Sequence, residues 1–195
     1  NVALRERAGS RGLKLSEYGL FDKTGHYVAG KTEEDVYKAL GLEWIPPELR
    51  ENSGEIEAAE KGSLPKLVEL KDIKGDLHVH TIDSDGNATM EEVIEAAMNM
   101  GYAYVAITDH SKAVGIARGM DDGRLLKQCE RIDRLNKKLE KEGHSFRVLK
   151  GAEVDIKSDG TLDYKDETLR RLDIAVGAVH SKFDMTRDGM TERLL

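Results

Sequence analysis

The residues best suited to chemistry stand in Asp76-Leu77-His78-Val79-His80-Thr81-Ile82-Asp83-Ser84-Asp85-Gly86. Residues i and i+2 of a strand point to the same side. His78 and His80 therefore face one way, as a chelating pair requires. Asp85 follows in a turn rich in Asp, Ser and Gly, which lets its carboxylate fold back over the strand end. Imidazole nitrogen with carboxylate oxygen suits Zn, Mn or Fe. A lone His-x-His can equally be two histidines on the polar face of an edge strand. Three later segments answer it: Thr108-Asp109-His110, Lys150-Gly151-Ala152-Glu153 and Gly177-Ala178-Val179-His180.

The elements around these residues decide whether they can meet. Thr89-Met90-Glu91-Glu92 has the spacing of a capping box. Val93, Ile94, Ala97 and Met98 then give one apolar helix face, and Gly101 ends it. Residues 102–108 are an almost unbroken apolar strand, as expected of a parallel strand covered on both faces. Asp121 or Asp122 opens a long helix. Leu125, Cys129, Ile132, Leu135 and Leu139 recur along it at helical spacing, and Gly143 closes it. Cys129 lies in that stripe and reads as core. Residues 146–153 form a third strand, a short helix follows at about 165–171, and 172–179 form a fourth strand.

Four strands alternating with helices predict an α/β fold with a parallel sheet or barrel. In α/β barrels the active site is built at the C-terminal strand ends. Each predicted strand ends in a metal-ligand type: His78 and His80, then His110, Glu153 and His180. Four unrelated core or surface residues would not be expected in that register. His26 and His144 have no such company and read as solvated.

The first 52 residues carry no visible chemistry. A helix from Val2 to about Arg11 closes at Gly12, and residues 13–21 alternate like one strand. Asp22-Lys23-Thr24-Gly25 turns into a return strand. Thr32, with Asp35 three residues on, opens a helix. Residues 42–50 are extended before Pro46-Pro47. Arg5, Arg7, Arg11 and Lys14 read either as a solvated face or as contacts to a phosphate backbone. Residues 53–74 read as a semi-ordered linker with one helical turn near Ile56. The expected organisation is thus 1–52, a linker at 53–74, and 75–195.

The chain has 195 residues, 39% of them hydrophobic and 34% charged, enough for a packed core. No apolar run approaches a membrane span. The single cysteine excludes an internal disulfide and suits a reducing cytoplasm. A net charge of −7 argues against broad, unaided binding to nucleic acid. On a DNA substrate, bound metal ions would have to supply part of the attraction. The start at Asn1 and the stop at Leu195 inside a new helix suggest a piece of a longer protein.

Two resemblances sharpen these expectations. The helix and Gly12, then Leu-Lys-Leu-Ser-Glu-Tyr-Gly-Leu-Phe, then Thr-Glu-Glu-Asp-Val-Tyr and Gly-Leu-Glu-Trp-Ile-Pro-Pro-Glu-Leu-Arg-Glu, resemble the end of the thumb in family X, polymerase-beta-like DNA polymerases. That family carries its polymerising carboxylates in an upstream palm, which this chain lacks. His-Val-His-Thr-Ile-Asp-Ser-Asp-Gly, Ile-Thr-Asp-His-Ser, Lys-Gly-Ala-Glu and Gly-Ala-Val-His-Ser-Lys-Phe resemble, in order, the first motifs of the polymerase-and-histidinol-phosphatase (PHP) superfamily. The resemblance implies a distorted β/α barrel holding up to three divalent metals, Mn or Zn or Fe, and hydrolysing phosphoesters. It implies His78, His80, Asp85, His110, Glu153 and His180 as catalytic metal ligands, with Glu153 bridging two metals. Asp109 is either a further ligand or the group that orients His110 or caps the next turn. The family's later His and Asp-x-His pair do not occur, since no histidine follows His180. The expected fold is therefore an incomplete PHP-type (β/α) barrel after a small α+β thumb remnant.

A thumb before such a barrel is the layout of bacterial and archaeal family X polymerases. The resemblance then implies a metal-dependent 3′–5′ exonuclease acting on DNA 3′ ends in repair, in the cytoplasm, with a palm domain as intramolecular partner. Lys112, Arg118 and Lys182 lie on loops leaving the site mouth and read as contacts to substrate phosphates or as ordinary solvated charges. The competing expectations are a phosphomonoesterase of the histidinol-phosphatase kind and a non-catalytic metal module that stabilises the polymerase.

Overall fold

The computed structural model describes residues 2–195. The chain divides into two compact units, Asn1–Val68 and Glu69–Leu195.

The first unit opens with α1 (Val2–Ser10), which stops before Gly12 at φ +73°. Three short antiparallel strands follow in the order β1 (Leu13–Ser16), β2 (Gly19–Asp22), β3 (Tyr27–Ala29). The single strand expected over 13–21 is instead a hairpin, with Ser16 opposite Gly19 and Leu15 opposite Leu20. Gly19 sits at φ +123°, a conformation L side chains rarely adopt, and this lets the chain reverse after Tyr18. A Cβ there would also meet the Ala29 carbonyl oxygen at 2.7 Å. Helix α2 (Glu33–Ala39) begins with the expected capping box. Thr32 Oγ1 accepts from the Asp35 N–H, and the Asp35 carboxylate accepts from the Thr32 N–H, both at 3.3 Å. Ala8, Leu20, Tyr37, Leu40, Leu42, Ile45 and Ala59 form this unit's core.

Ala59 belongs to α3 (Glu55–Lys61), which lies inside the expected linker. Gly54 and Gly62 bound this helix with left-handed backbone, at φ 112° and 64°. Its apolar residues Ile56 and Ala59 join the first core. The division between units falls at Val68/Glu69, inside the expected linker.

The second unit alternates β4 (Gly75–Val79), α4 (Met90–Asn99), β5 (Tyr104–Ile107), α5 (Asp122–Lys141), β6 (Arg147–Asp155), α6 (Asp166–Leu169), β7 (Ile174–Ala178) and α7 (Arg187–Leu194). The strands are parallel in the order β4-β5-β6-β7, a sheet curled as part of a barrel, as the alternation predicts. Met90, Ile94 and Ala97 of α4 pack with Val105 and Ile107 of β5, Ile132 and Leu139 of α5, and Val148 of β6. Cys129 is 1% exposed and packs with Leu125, Ala152, Val154 and Tyr164, as the helical stripe predicts. The β6 strand runs two residues beyond its expected end, through Asp155. That extension puts Glu153 and Asp155 on the same side of one strand.

Candidate metal centre

All six residues named as ligands meet at the C-terminal ends of the four parallel strands. His80 lies just past β4, His110 three residues past β5, Glu153 near the end of β6, and His180 two residues past β7. Glu153 is at the centre and is 7% exposed. Its Oε2 lies 3.3 Å from His78 Nε2, 3.2 Å from His80 Nε2 and 3.1 Å from His110 Nδ1. Its Oε1 lies 3.2 Å from His180 Nε2. Asp85 folds back as expected. One oxygen is 2.8 Å from His80 Nδ1 and the other 3.4 Å from His110 Nε2. The bond from His80 holds the Asp85 carboxyl below the usual carboxylate range.

These contacts make three overlapping groups: His78, His80 and Glu153; His80, Asp85 and His110; His110, Glu153 and His180. Within each, the potential ligand atoms lie within 4.8 Å of one another. The arrangement asks for cations. His110 Nδ1 is buried and accepts or donates no hydrogen bond, although Glu153 Oε2 stands 3.1 Å away. A buried polar atom left in that condition is costly. Burial also pushes the His110 imidazole below its ordinary pKa, toward the neutral form that binds metal. The donor set therefore fits divalent ions.

The model of the PHP domain matches residues 76–193, and the match contains this whole cluster. The chain belongs to the PHP family. The model of the DNA polymerase beta thumb matches residues 1–51, so a thumb precedes the PHP domain. The chain is 42% identical over all 195 residues to the DNA polymerase/3′-5′ exonuclease PolX of Bacillus subtilis (strain 168). It spans about a third of that relative, 33% of its length. Over 109 residues, 54% of this chain, it is 33% identical to probable phosphatases of Thermoanaerobacter sp. (strain X514) and Thermoanaerobacter pseudethanolicus (strain ATCC 33223 / 39E), covering 40% of each.

Two residues of the PHP domain have roles that sequence reasoning did not assign. Asp155 lies two residues past the strand end that the sequence predicts at Glu153. It is 4% exposed, and its Oδ1 lies 3.0 Å from His180 Nδ1. The signal was the spacing Glu153-Val154-Asp155, two carboxylates on one side of a strand. Asp109, offered as a ligand, is outside all three ligand groups. It is fully buried, and both its oxygens accept hydrogen bonds, from Thr81, Ser84 and Gln128. These bonds run to the segment after β4 and to α5, so any hold on His110 acts through the backbone that the two residues share.

The three cations named for substrate contact are exposed, on loops at the same end of the sheet. Lys112 Nζ lies 3.7 Å from Asp122 Oδ2. Arg118 and Lys182 both have left-handed backbone, at φ 55° and 56°. Non-glycine residues there are uncommon and cluster at functional loops. Among the described residues no helix is long and apolar enough to cross a membrane.

Proposed function

We propose that this chain is the metal-dependent phosphoesterase portion of a family X DNA polymerase, removing nucleotides from DNA 3′ ends. The observation that carries this reading is the shared carboxylate of Glu153, flanked by four imidazoles at the strand ends. The thumb match and the PolX relative supply the DNA context. The proposed ligands are His78, His80, Asp85, His110, Glu153 and His180. Mn²⁺ or Zn²⁺, or Fe, suits this set, with two or three ions in a complete domain. The proposed domain limits are 1–52 for the thumb portion and 75–195 for the PHP portion. The proposed setting is cytoplasmic DNA repair, with a polymerase palm upstream and a free DNA 3′ end as substrate.

Divalent ions, when bound in such a site, acidify a water and offset the charge that builds on the phosphoryl and leaving oxygens. The chain's own groups prepare their side of that chemistry. Asp85 Oδ1 beside His80 Nδ1 favours the tautomer with the proton on Nδ1, leaving the Nε2 lone pair toward Glu153. Asp155 does the same for His180. Glu153 offers its two oxygens to different imidazoles, as a bridging carboxylate must. Lys112, Arg118 and Lys182 are proposed to hold the substrate phosphates.

The test is nucleotide release from a 3′-recessed DNA primer by the full-length protein, with and without Mn²⁺, beside His110→Ala. Release that needs both the metal and His110 supports the reading. A second reading, a phosphomonoesterase, is favoured by the two phosphatase relatives. Faster hydrolysis of a small phosphomonoester than of the primed DNA would select it.

A further inference from the structure

We propose that Asp109 is a positioning residue, which locks the first two ligand segments of the metal site to each other and to helix α5. The proposal rests on the metal-site reading above. Asp109 directly precedes His110. Its Oδ1 accepts the Thr81 backbone N–H at 2.7 Å and the Ser84 hydroxyl at 2.5 Å. Its Oδ2 accepts the Thr81 hydroxyl and the Gln128 amide, each at 2.7 Å. Thr81 follows His80, and Ser84 precedes Asp85. One buried carboxylate therefore grips the ligand segment His80–Asp85 at both ends while its own backbone carries His110.

Helix α5 extends the grip. The Gln128 amide that reaches Asp109 also donates to Asp83 Oδ2 at 3.0 Å. Arg124 Nη2 donates to the Asp83 carbonyl at 2.5 Å. The segment is also wound tightly on itself. Gly86 N–H donates to the Thr81 carbonyl at 2.9 Å, and a Cβ on Gly86 would collide with the His80 carbonyl. A buried carboxylate is tolerated only when its acceptor sites are filled. Four donors fixed to three different places leave Asp109 one orientation, and they leave His80, Asp85 and His110 one mutual spacing. A ligand would need a free oxygen facing the cluster, whereas both Asp109 oxygens are engaged elsewhere. Groups of this kind, one bond removed from the ligands, typically change metal affinity by about 10–100-fold.

The test is a Mn²⁺ titration of the 195-residue chain. Bound metal is read from the loss of the free-Mn²⁺ electron paramagnetic resonance signal, with Tm recorded alongside. Ser84→Ala and Gln128→Leu each remove one donor to Asp109. Gln128 touches no proposed ligand, whereas Ser84 Oγ also lies 3.4 Å from Asp85 Oδ1, so Gln128→Leu is the cleaner of the two. Asn136→Ala is the control. Asn136 lies on the same helix, but its side chain bonds the Val148 backbone instead, at 2.8 and 2.9 Å. The expected result is that Ser84→Ala and Gln128→Leu weaken Mn²⁺ binding about tenfold or more, while Asn136→Ala lowers Tm and leaves affinity unchanged. Wild-type affinity in both Asp109-side variants overturns the proposal. So does an equal loss of affinity in Asn136→Ala, which would make the effect one of general stability. If Gln128→Leu does not fold, Thr81→Val, which takes the Thr81 hydroxyl away from Asp109, decides in its place. A wild-type chain that takes up no Mn²⁺ instead sinks the metal-site reading beneath the proposal.

Discussion

Asp155 holds His180 twice: its Oδ1 accepts the His180 backbone N–H at 3.2 Å and lies 3.0 Å from the ring Nδ1. One carboxylate oxygen thus sets where the chain leaves β7 and which way the imidazole faces. The bond crosses between neighbouring strands, since Asp155 pairs with Ala178. Asp155→Ala should lower metal affinity by about 10–100-fold through misplacement of His180. Adding His180→Ala to that background should cost little more, because the two act as a unit. Competition against a chelating dye measures both. Fully additive losses would show that the two residues serve the metal independently.

Arg118 separates strain from recognition. Its backbone is left-handed, and its carbonyl accepts from Arg124 Nη1 at 3.0 Å, a bond that any residue preserves. Arg118→Gly should stabilise the second unit by up to about 1 kcal/mol, because glycine tolerates positive φ. The same variant should bind primed DNA more weakly and with a shallower salt dependence. Thermal melts and DNA titrations at several salt concentrations check the two halves. Unchanged DNA binding would remove Arg118 from the substrate contacts.

Asp122 gives a pH signature away from the ligands. The Thr168 hydroxyl donates to Asp122 Oδ1 at 2.6 Å and holds this carboxyl below the ordinary aspartate value of 3.8. A depressed folded pKa contributes stability above the unfolded value, and that stability is lost as pH falls through the folded one. Thr168→Val should therefore destabilise by about 1 kcal/mol near pH 7. The gap from wild type should be smaller at about pH 3, which lies below the ordinary value of 3.8. Urea unfolding at the two pH values tests this. A gap that stays constant would mean that packing, not the bond to the carboxylate, is lost.

Cys129 should be chemically silent. Burial among Leu125, Ala152 and Val154 pushes its thiol up and denies reagents access. A thiol-reactive dye at about pH 8 should label it only after denaturation. Rapid labelling of the folded chain would show that α5 opens from the sheet.

The sequence by itself determined the local chemistry. Val79 between His78 and His80 dictates that two imidazoles share a side, because strand side chains alternate. Thr32 with Asp35, and Thr89 with Glu92, dictate helix starts, because their side chains satisfy N–H groups within one turn. The apolar stripe of α5 dictates which face is buried, and so the fate of Cys129. All of these are interactions over a few residues, where spacing along the chain is spacing in space. The two-residue reversal at Glu17-Tyr18 was also local, but alternation continues across it, and only the positive φ of Gly19 marks the turn. What the tertiary structure alone decided is which carboxylate meets which imidazole. Glu153 stands amid four histidines because β4, β5, β6 and β7 align their ends. Asp109 turns away from the cluster because Thr81, Ser84 and Gln128 offer it donors from two other elements. Those partners lie between 19 and 28 residues away along the chain. A carboxylate's role depends on which donors reach it first, and that is set by packing between elements rather than by its neighbours in sequence.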